Sequence, residues 1–438
     1  MTRSLVRGGL MVTPESIRWA DILIEGETIV AVEPRLSAPA GARIIDADGL
    51  LVLPGLIDPH VHLREPGGEH KEDWTTGTQA ALAGGFTTVL AMPNTQPPIT
   101  NREALAEAHA LAAAKAVCDY GIFIGATADN AEEAAGLRDA VGLKIYMGSS
   151  TGTLLVADLA GQLAHFERYP GVIAVHAEDE EAVAYFVARG ERRPPLCAAL
   201  AVARALTLAE HFRRRVHICH VSTAHEIALI RDAKARGVPV TCEVTPHHLF
   251  LTAADEAHLG ALGRMNPPLR SSEDMQALWD NLDVIDCIAT DHAPHTLEEK
   301  HSPNPPAGVP GLETVLALLL TAASEDRILP ANVPRLMAQG PARVFGLARK
   351  GHIAPGYDAD LTLVDIQAKW VIGKRPFFTK CGWSPFTGRK VKGRVERVLL
   401  RGQLAYDAGQ VLLAPGSGQP TNQQTNKPTN KLTNKQTN

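Results

Sequence analysis

Two histidines stand two positions apart in Asp58-Pro-His-Val-His62, directly after an apolar run at 51–57. If that run is a strand, alternate side chains share a face, so His60 and His62 offer two imidazoles to one metal ion. Further groups follow at the ends of their own apolar runs. Lys144 lies in Gly142-Leu-Lys-Ile-Tyr146, His176 in Val175-His-Ala-Glu178, His220 in Ile218-Cys-His-Val-Ser222, and Asp291 in Ala289-Thr-Asp-His-Ala-Pro-His295. A lone strand-end histidine is more often a surface residue than a ligand. Four imidazoles, one carboxylate and one lysine at matching positions describe a hydrolytic metal centre. Lysine is the odd member, because an ammonium only donates. It is either a salt-bridged core residue or the site of a carbamate, formed by addition of carbon dioxide, whose two oxygens bridge two cations. With two Zn2+, the carbamate, Asp291 and a hydroxide leave a small positive charge, which suits an anionic substrate. Metals about 3.5–4 Å apart activate water near neutral pH and polarise a carbonyl.

Positioning these groups requires parallel strands that end at one place. Between about 54 and 345, apolar runs at 51–57, 87–92, 120–125, 142–147, 172–176, 216–221, 240–244 and 284–289 alternate with helical stretches at 102–117, 196–212, 224–236 and 275–282. This alternation predicts an α/β fold, a (β/α)8 TIM barrel, whose chemistry sits at the carboxyl ends of its strands. A doubly wound sheet is the alternative, but no Gly-x-Gly-x-x-Gly follows the first strand. Short β-type segments at 4–6, 22–24, 28–32 and 43–46 are matched by others at 359–364 and 395–406, around a Trp/Phe/Pro-rich insertion at 370–386. They predict a small β-sandwich built from both chain ends. The expected division is 1–53 and 349–415 for the sandwich, 54–348 for the barrel, and 416–438 for a disordered tail in which Thr-Asn recurs.

Composition narrows the function. The 438 residues are 45% hydrophobic and 21% charged, with a formal net charge of -5 and no long basic run before the tail. Neither nucleic acid nor a membrane surface is an expected partner. The six cysteines are scattered, with no Cys-x-x-Cys, as buried thiols of a reducing compartment are. There is no signal-peptide h-region, and no 18-residue apolar span is expected, so the cytoplasm is the default.

His60-Val-His-Leu-Arg-Glu-Pro-Gly67, Ala91-Met-Pro-Asn-Thr95, Gly142-Leu-Lys-Ile-Tyr146, His217-Ile-Cys-His-Val-Ser222 and Ala289-Thr-Asp-His-Ala-Pro-His-Thr-Leu-Glu-Glu-Lys300 closely resemble the dihydroorotases of the amidohydrolase superfamily. The resemblance covers about 50–415 and is nearest to the dihydroorotase domains of the animal multifunctional proteins that begin pyrimidine synthesis. It implies reversible cyclisation of N-carbamoyl-L-aspartate to L-dihydroorotate with loss of water, in de novo UMP synthesis. It further implies two zinc ions per subunit bridged by N6-carboxylysine at Lys144: His60, His62, Lys144 and Asp291 on one zinc, Lys144, His176 and His220 on the other. Asp291 would also be general acid and base. Arg64, Asn94 and His295 would hold the substrate carboxylate, with Asn266 and Ser150 completing the substrate-binding set. Competing structural roles are a surface salt bridge to Glu65 or Glu69 for Arg64, an Asx turn for Asn94 and a loop cap for His295.

His247 and His248 close the seventh strand, and one of them is expected to support the ligands from outside. Asp58 either orients an imidazole or caps a turn. In Gly148-Ser-Ser-Thr-Gly152 the animal domain has a bulkier loop that closes over substrate, so Ser150 and Thr151 replace its threonine and phenylalanine and the aromatic lid contact is missing; the flanking glycines would let the loop move. A homodimer is expected from the family, and association with aspartate carbamoyltransferase is compatible with it. Two other functions compete: a dihydropyrimidinase, hydantoinase or allantoinase with the same centre but a neutral substrate, and a non-catalytic scaffold, which would lack metal ligands that are all present here.

Overall fold

The described residues are 2–150 and 152–421 in a computed structural model of the chain. Two kinds of strand occur. Those near the chain ends alternate or mix buried and exposed positions, as in Ile17–Glu25, whereas Leu56–Val61, Phe86–Ala91, Asp119–Ile122, Leu143–Tyr146 and Ile173–His176 are buried at every residue. Full burial on both faces is the mark of parallel strands covered by helices.

Strands of the first kind, together with the fully buried Leu51–Pro54, form a nine-stranded sheet in the order Gln410–Val411, Gln403–Asp407, Lys390–Leu400, Leu361–Val371, Leu51–Pro54, Arg3–Val12, Ile17–Glu25, Thr28–Glu33, with Arg43–Asp46 also paired to Arg3–Val12. Leu51–Pro54 joins the two ends, antiparallel to Leu361–Val371 through Leu53↔Thr362 and parallel to Arg3–Val12 through Leu10↔Leu51. The expected strand at 51–57 is therefore two strands, divided at Gly55. A Cβ there would lie 2.3 Å from Thr87 Oγ1 and 2.7 Å from Asp360 Cβ, so glycine allows the chain to leave one sheet and enter the other in a single residue. The segment expected at 395–406 is likewise a hairpin that turns at Arg401 and Gly402, both with positive φ.

Parallel strands occupy a three-stranded group, Leu56–Val61, Phe86–Ala91 and Asp119–Ile122, and a six-stranded group running Ile124–Gly125, Leu143–Tyr146, Ile173–His176, Val216–Ile218, Val240–Val244 and Cys287–Ile288. Phe123 separates Asp119–Ile122 from Ile124–Gly125 on one continuous stretch, and a parallel bridge Val61↔His292 links the outer ends of the two groups. Helices return the chain between strands. Asp73, Asn101, Thr223 and Ser271 each accept a backbone N–H at a helix start, each such cap contributing about 1 kcal/mol. Ser271 starts its helix at Ser272, three residues before the expected 275.

A buried ion cluster locks sheet to parallel strands. Lys350 Nζ lies 2.6 Å from Asp119, 2.7 Å from Asp360 and 3.1 Å from Asp358, and Arg401 also holds Asp119. Two expectations need correction. Residues 416–421, assigned to the tail, run beside Asp119–Ile122: Tyr120 N donates to Gln419 O at 3.0 Å and Thr421 N to Tyr120 O at 2.7 Å. The rest of the tail, 422–438, lies outside the described residues. Pro195–Phe212 is also an 18-residue helix apolar enough to cross a membrane, with mean hydropathy 1.2, but half of it is buried inside the protein, as in a core helix.

Candidate metal centre

His60 lies within Leu56–Val61 and His62 just beyond it, where His62 N donates to His292 O at 2.8 Å. Asp58 Oδ1 accepts from His60 N and from Thr290 N, both at 3.1 Å, and its second oxygen accepts from Thr290 Oγ1. Asp58 thus ties the first strand to the residue preceding Asp291, and its bond from the His60 main-chain N–H is the turn cap, the second of its two expected roles. The result is a tight group: Asp291 Oδ1 is 3.0 Å from His62 Nε2 and 3.3 Å from His60 Nε2. On the other side, His176 Nδ1 is 3.0 Å from His220 Nε2, and the rings of His60 and His220 are 5.5 Å apart.

Electrostatics suits ligation. Burial pushes His62 down to about 4 against the pull of Asp291, and it drives His176 down and His220 well down, so these imidazoles are neutral and have lone pairs to give. Burial alone would raise the Asp291 carboxyl, but His60, His62 and His220 hold it well below the usual carboxylate range. His220, Asp291 and Arg64 also have φ of 39°, 45° and 63°. Left-handed backbone at non-glycine residues costs roughly 1–3 kcal/mol and gathers at functional sites.

Lys144 is fully buried in Leu143–Tyr146. Its Nζ lies 3.0 Å from Cys219 Sγ and 5.2 Å from the Tyr146 ring centre, and no carboxylate is within ion-pair distance among the described residues. The salt-bridged core alternative therefore fails. An ammonium without a counter-ion beside neutral imidazoles is unfavourable; a carbamate there would supply the missing negative charge. The donor set thus fits a divalent cation. His60, His62 and Asp291 form a compact potential ligand group, as do His60, Cys219 and Glu243.

Three ligand candidates are held from behind. His60 Nδ1 is 2.5 Å from Glu243 Oε1, His62 Nδ1 is 2.6 Å from Asn94 Oδ1, and His176 Nε2 is 3.1 Å from Glu178 Oε2. Such partners fix tautomer and ring orientation. Glu243 also meets His217 Nε2 at 3.0 Å, and His217 Nδ1 meets Thr241 Oγ1 at 2.9 Å. Burial opposes the Glu243 charge, yet His60 and His217 hold its carboxyl well below the usual range. Glu243, Glu178 and His217 were not singled out from sequence. The signal was present: Thr241 and Glu243 alternate on a strand buried on both sides, and Glu178 alternates with His176.

The substrate-binding candidates divide. Arg64 and His295 are brought together, with Arg64 Nη2 3.2 Å from His295 Nε2 and Arg64 Nε donating to Pro294 O at 3.1 Å. The strand ends at Val61 and Arg64 has positive φ, so it reaches the site through a turn and not by strand alternation. No carboxylate pairs with its buried guanidinium among the described residues; Glu65 pairs with Lys115, and Glu69 accepts from Gly67 N. Asn94 places its side-chain oxygen on His62 Nδ1, a contact that orients this imidazole. Asn266 stands on the segment whose Pro267 carbonyl meets His248 Nε2 at 3.1 Å. His248 is thus a structural tie, while His247 is buried with no partner at Nε2.

Ser150 is half-buried, and Thr151 lies outside the described residues. The base of this loop is fastened: Arg193 bonds both Ser149 and Glu178. A Cβ at Gly148 would lie 2.4 Å from the Glu178 carbonyl oxygen, so this glycine serves close packing where a hinge was expected.

Histidines and an aspartate converging at the ends of separate parallel strands define a metal-dependent amidohydrolase. The chain belongs to the amidohydrolase family, whose model matches residues 51–405. Within that family it groups with the dihydroorotases. It is 38% identical over 413 residues to the dihydroorotase of Pyrococcus horikoshii, covering 94% of each chain. It is also 48% identical over 374 residues to the multifunctional protein CAD of Squalus acanthias, a match that takes up 84% of this chain but 16% of that protein. Among solved structures, the L-hydantoinase (dihydropyrimidinase) from Arthrobacter aurescens superposes with a TM-score of 0.91 at 30% identity, over 96% of this chain and 99% of its own.

Proposed function

We propose that this chain is a dihydroorotase, interconverting N-carbamoyl-L-aspartate and L-dihydroorotate in pyrimidine synthesis. The observation that carries the substrate assignment is the buried Arg64 guanidinium beside His295, which pairs with no carboxylate among the described residues. A guanidinium in that setting calls for a carboxylate, which dihydroorotate has and a neutral hydantoin lacks. The hydantoinase reading is favoured by the structural superposition, which reports a shared scaffold; Arg64 argues against it.

The eight parallel runs are read as a closed (β/α)8 barrel, supported by continuity through Phe123 and by the Val61↔His292 bridge. The nine-stranded sheet is read as the small domain from both ends. His60, His62, Lys144 as its carbamate and Asp291 would hold one zinc, and Lys144, His176 and His220 the other. Bound there, the two ions would polarise the scissile carbonyl and activate water. Arg64 and His295 seat the carboxylate outside the reacting amide. Asp291, kept ionised, takes the proton released in ring opening and delivers it to the leaving nitrogen; in ring closure the same oxygen runs the transfer backwards. Glu243, Asn94 and Glu178 keep His60, His62 and His176 in the required orientations.

Cytoplasmic residence, a homodimer and association with aspartate carbamoyltransferase are further proposals. The first is supported by six free, buried cysteines. The central reading is tested by measuring dihydroorotate turnover and zinc content together for the intact protein and for Lys144→Ala. Full activity in the variant defeats the carbamate bridge, and faster opening of dihydrouracil or allantoin than of dihydroorotate defeats the substrate assignment.

A further inference from the structure

The connection at 372–389, between Leu361–Val371 and Lys390–Leu400 of the nine-stranded sheet, reaches the residues that follow Asp291. Phe378 N and Thr379 N donate to Glu313, Thr379 Oγ1 donates to Glu72, and Glu72 lies 3.3 Å from His292 Nε2. Trp383 goes further. It is 5% exposed, and its indole N–H donates to the main-chain oxygen of His295 at 2.8 Å. A buried indole N–H needs an acceptor, and here the acceptor is the backbone of a substrate-binding residue.

The other side of His295 is fixed by Lys300. Its Nζ donates to the carbonyls of Arg264 at 3.1 Å, Pro306 at 3.0 Å and Gly308 at 2.9 Å, and sits 5.6 Å from the Trp383 ring centre. Ala307, between two of those carbonyls, offers its own oxygen to His295 Nε2 at 3.1 Å. Lys71 Nζ stands 3.3 Å from His295 Nδ1. Glu299 Oε2 lies 3.5 Å from that same Nδ1 and Arg64 Nη2 3.2 Å from Nε2, so the ring is held on both edges. Arg64 meets Pro294 O and His295 but no carboxylate among the described residues, which leaves its charge for an incoming carboxylate.

We infer that Trp383, brought by the insertion of the terminal sheet, is a positioning residue for the carboxylate subsite: it fixes the backbone of His295 while Lys300 fixes the 306–308 segment that meets the His295 ring, and together they set the placement of His295 beside Arg64, where the substrate anion would be met. The inference rests on the dihydroorotase reading. Its sense is that the sheet built from both chain ends takes part in substrate selection.

The test compares steady-state kinetics on L-dihydroorotate, zinc content and Tm for the full chain, Trp383→Phe and Lys300→Met. Phenylalanine keeps the packed ring and removes the donor. Trp383→Phe is expected to raise KM about three- to tenfold, the value of one hydrogen bond, with kcat within about a factor of two and zinc unchanged. Lys300→Met, acting on the opposite support, is expected to move KM the same way. Unchanged KM in both variants, or a fall in kcat at constant KM, overturns the inference. An intact chain that fails to convert dihydroorotate defeats the dihydroorotase reading before any variant is compared, and takes this inference with it.

Discussion

His60 Nδ1 and Glu243 Oε1 are 2.5 Å apart although 183 positions separate them in sequence. The contact joins the first parallel strand to the seventh and fixes which nitrogen of His60 faces Asp291. Glu243→Gln keeps the shape and removes the charge, and is expected to lower zinc affinity or kcat about 10- to 100-fold, as loss of such partners does. Metal analysis alongside turnover decides it; wild-type values for both would show that His60 needs no carboxylate behind it.

Arg64→Ala removes a charged partner of the substrate carboxylate. Such bonds contribute about 1.5–3 kcal/mol, so kcat/KM for dihydroorotate should fall roughly 10- to 150-fold. Arg64→Lys should recover little, since an ammonium cannot meet a carboxylate with a planar fork. A lysine variant as active as the parent would show that charge alone suffices.

Lys350→Met leaves Asp119, Asp358 and Asp360 sharing a site without that cation. Breaking a buried pair in this way costs about 3–5 kcal/mol. Thermal or urea unfolding should show it as a clear loss of stability, with zinc content unaffected; a variant as stable as the parent would make the cluster dispensable.

Glu313 gives a pH dependence away from the metal centre. Burial lifts its carboxyl to about 7 from 4.5, opposed by the N–H groups of Thr379 and Phe378. Between those values the folded state binds the proton more tightly than the unfolded state, so stability from this group is full below about pH 4.5 and is lost as pH rises towards 7. The loss amounts to at most ~3 kcal/mol. Glu313→Gln should therefore gain stability relative to the parent between pH 4.5 and 7 and hold the gain above it. A Tm difference that is flat across this range refutes the titration.

The convergence of the candidate ligands was legible because they are polar residues in or at the ends of apolar runs, a pattern that depends on local order alone. Two contacts were not legible: Asp58 binds Thr290, 232 positions away, and the Asn94 oxygen faces His62, and both follow from which strand ends become neighbours. Arg64 stands two positions beyond His62, but the chain has left the strand there and turns through Arg64 itself with positive φ, so its approach to His295 is a property of the turn. The sheet's composition could be read; the Pro54-Gly55 break inside 51–57 was a signal passed over, while the crowding of Thr87 and Asp360 that demands glycine exists only after folding.

Leu51–Pro54 pairs on one side with a strand made early and on the other with Leu361–Val371, more than 300 positions later. On the ribosome, every parallel strand has emerged before that second partner does. Until then the apolar edge of Leu51–Pro54 is an open template for stray pairing. The nascent protein thus passes through a stage in which its catalytic half is complete while its seam is unsealed, and that interval is where help from chaperones would matter most.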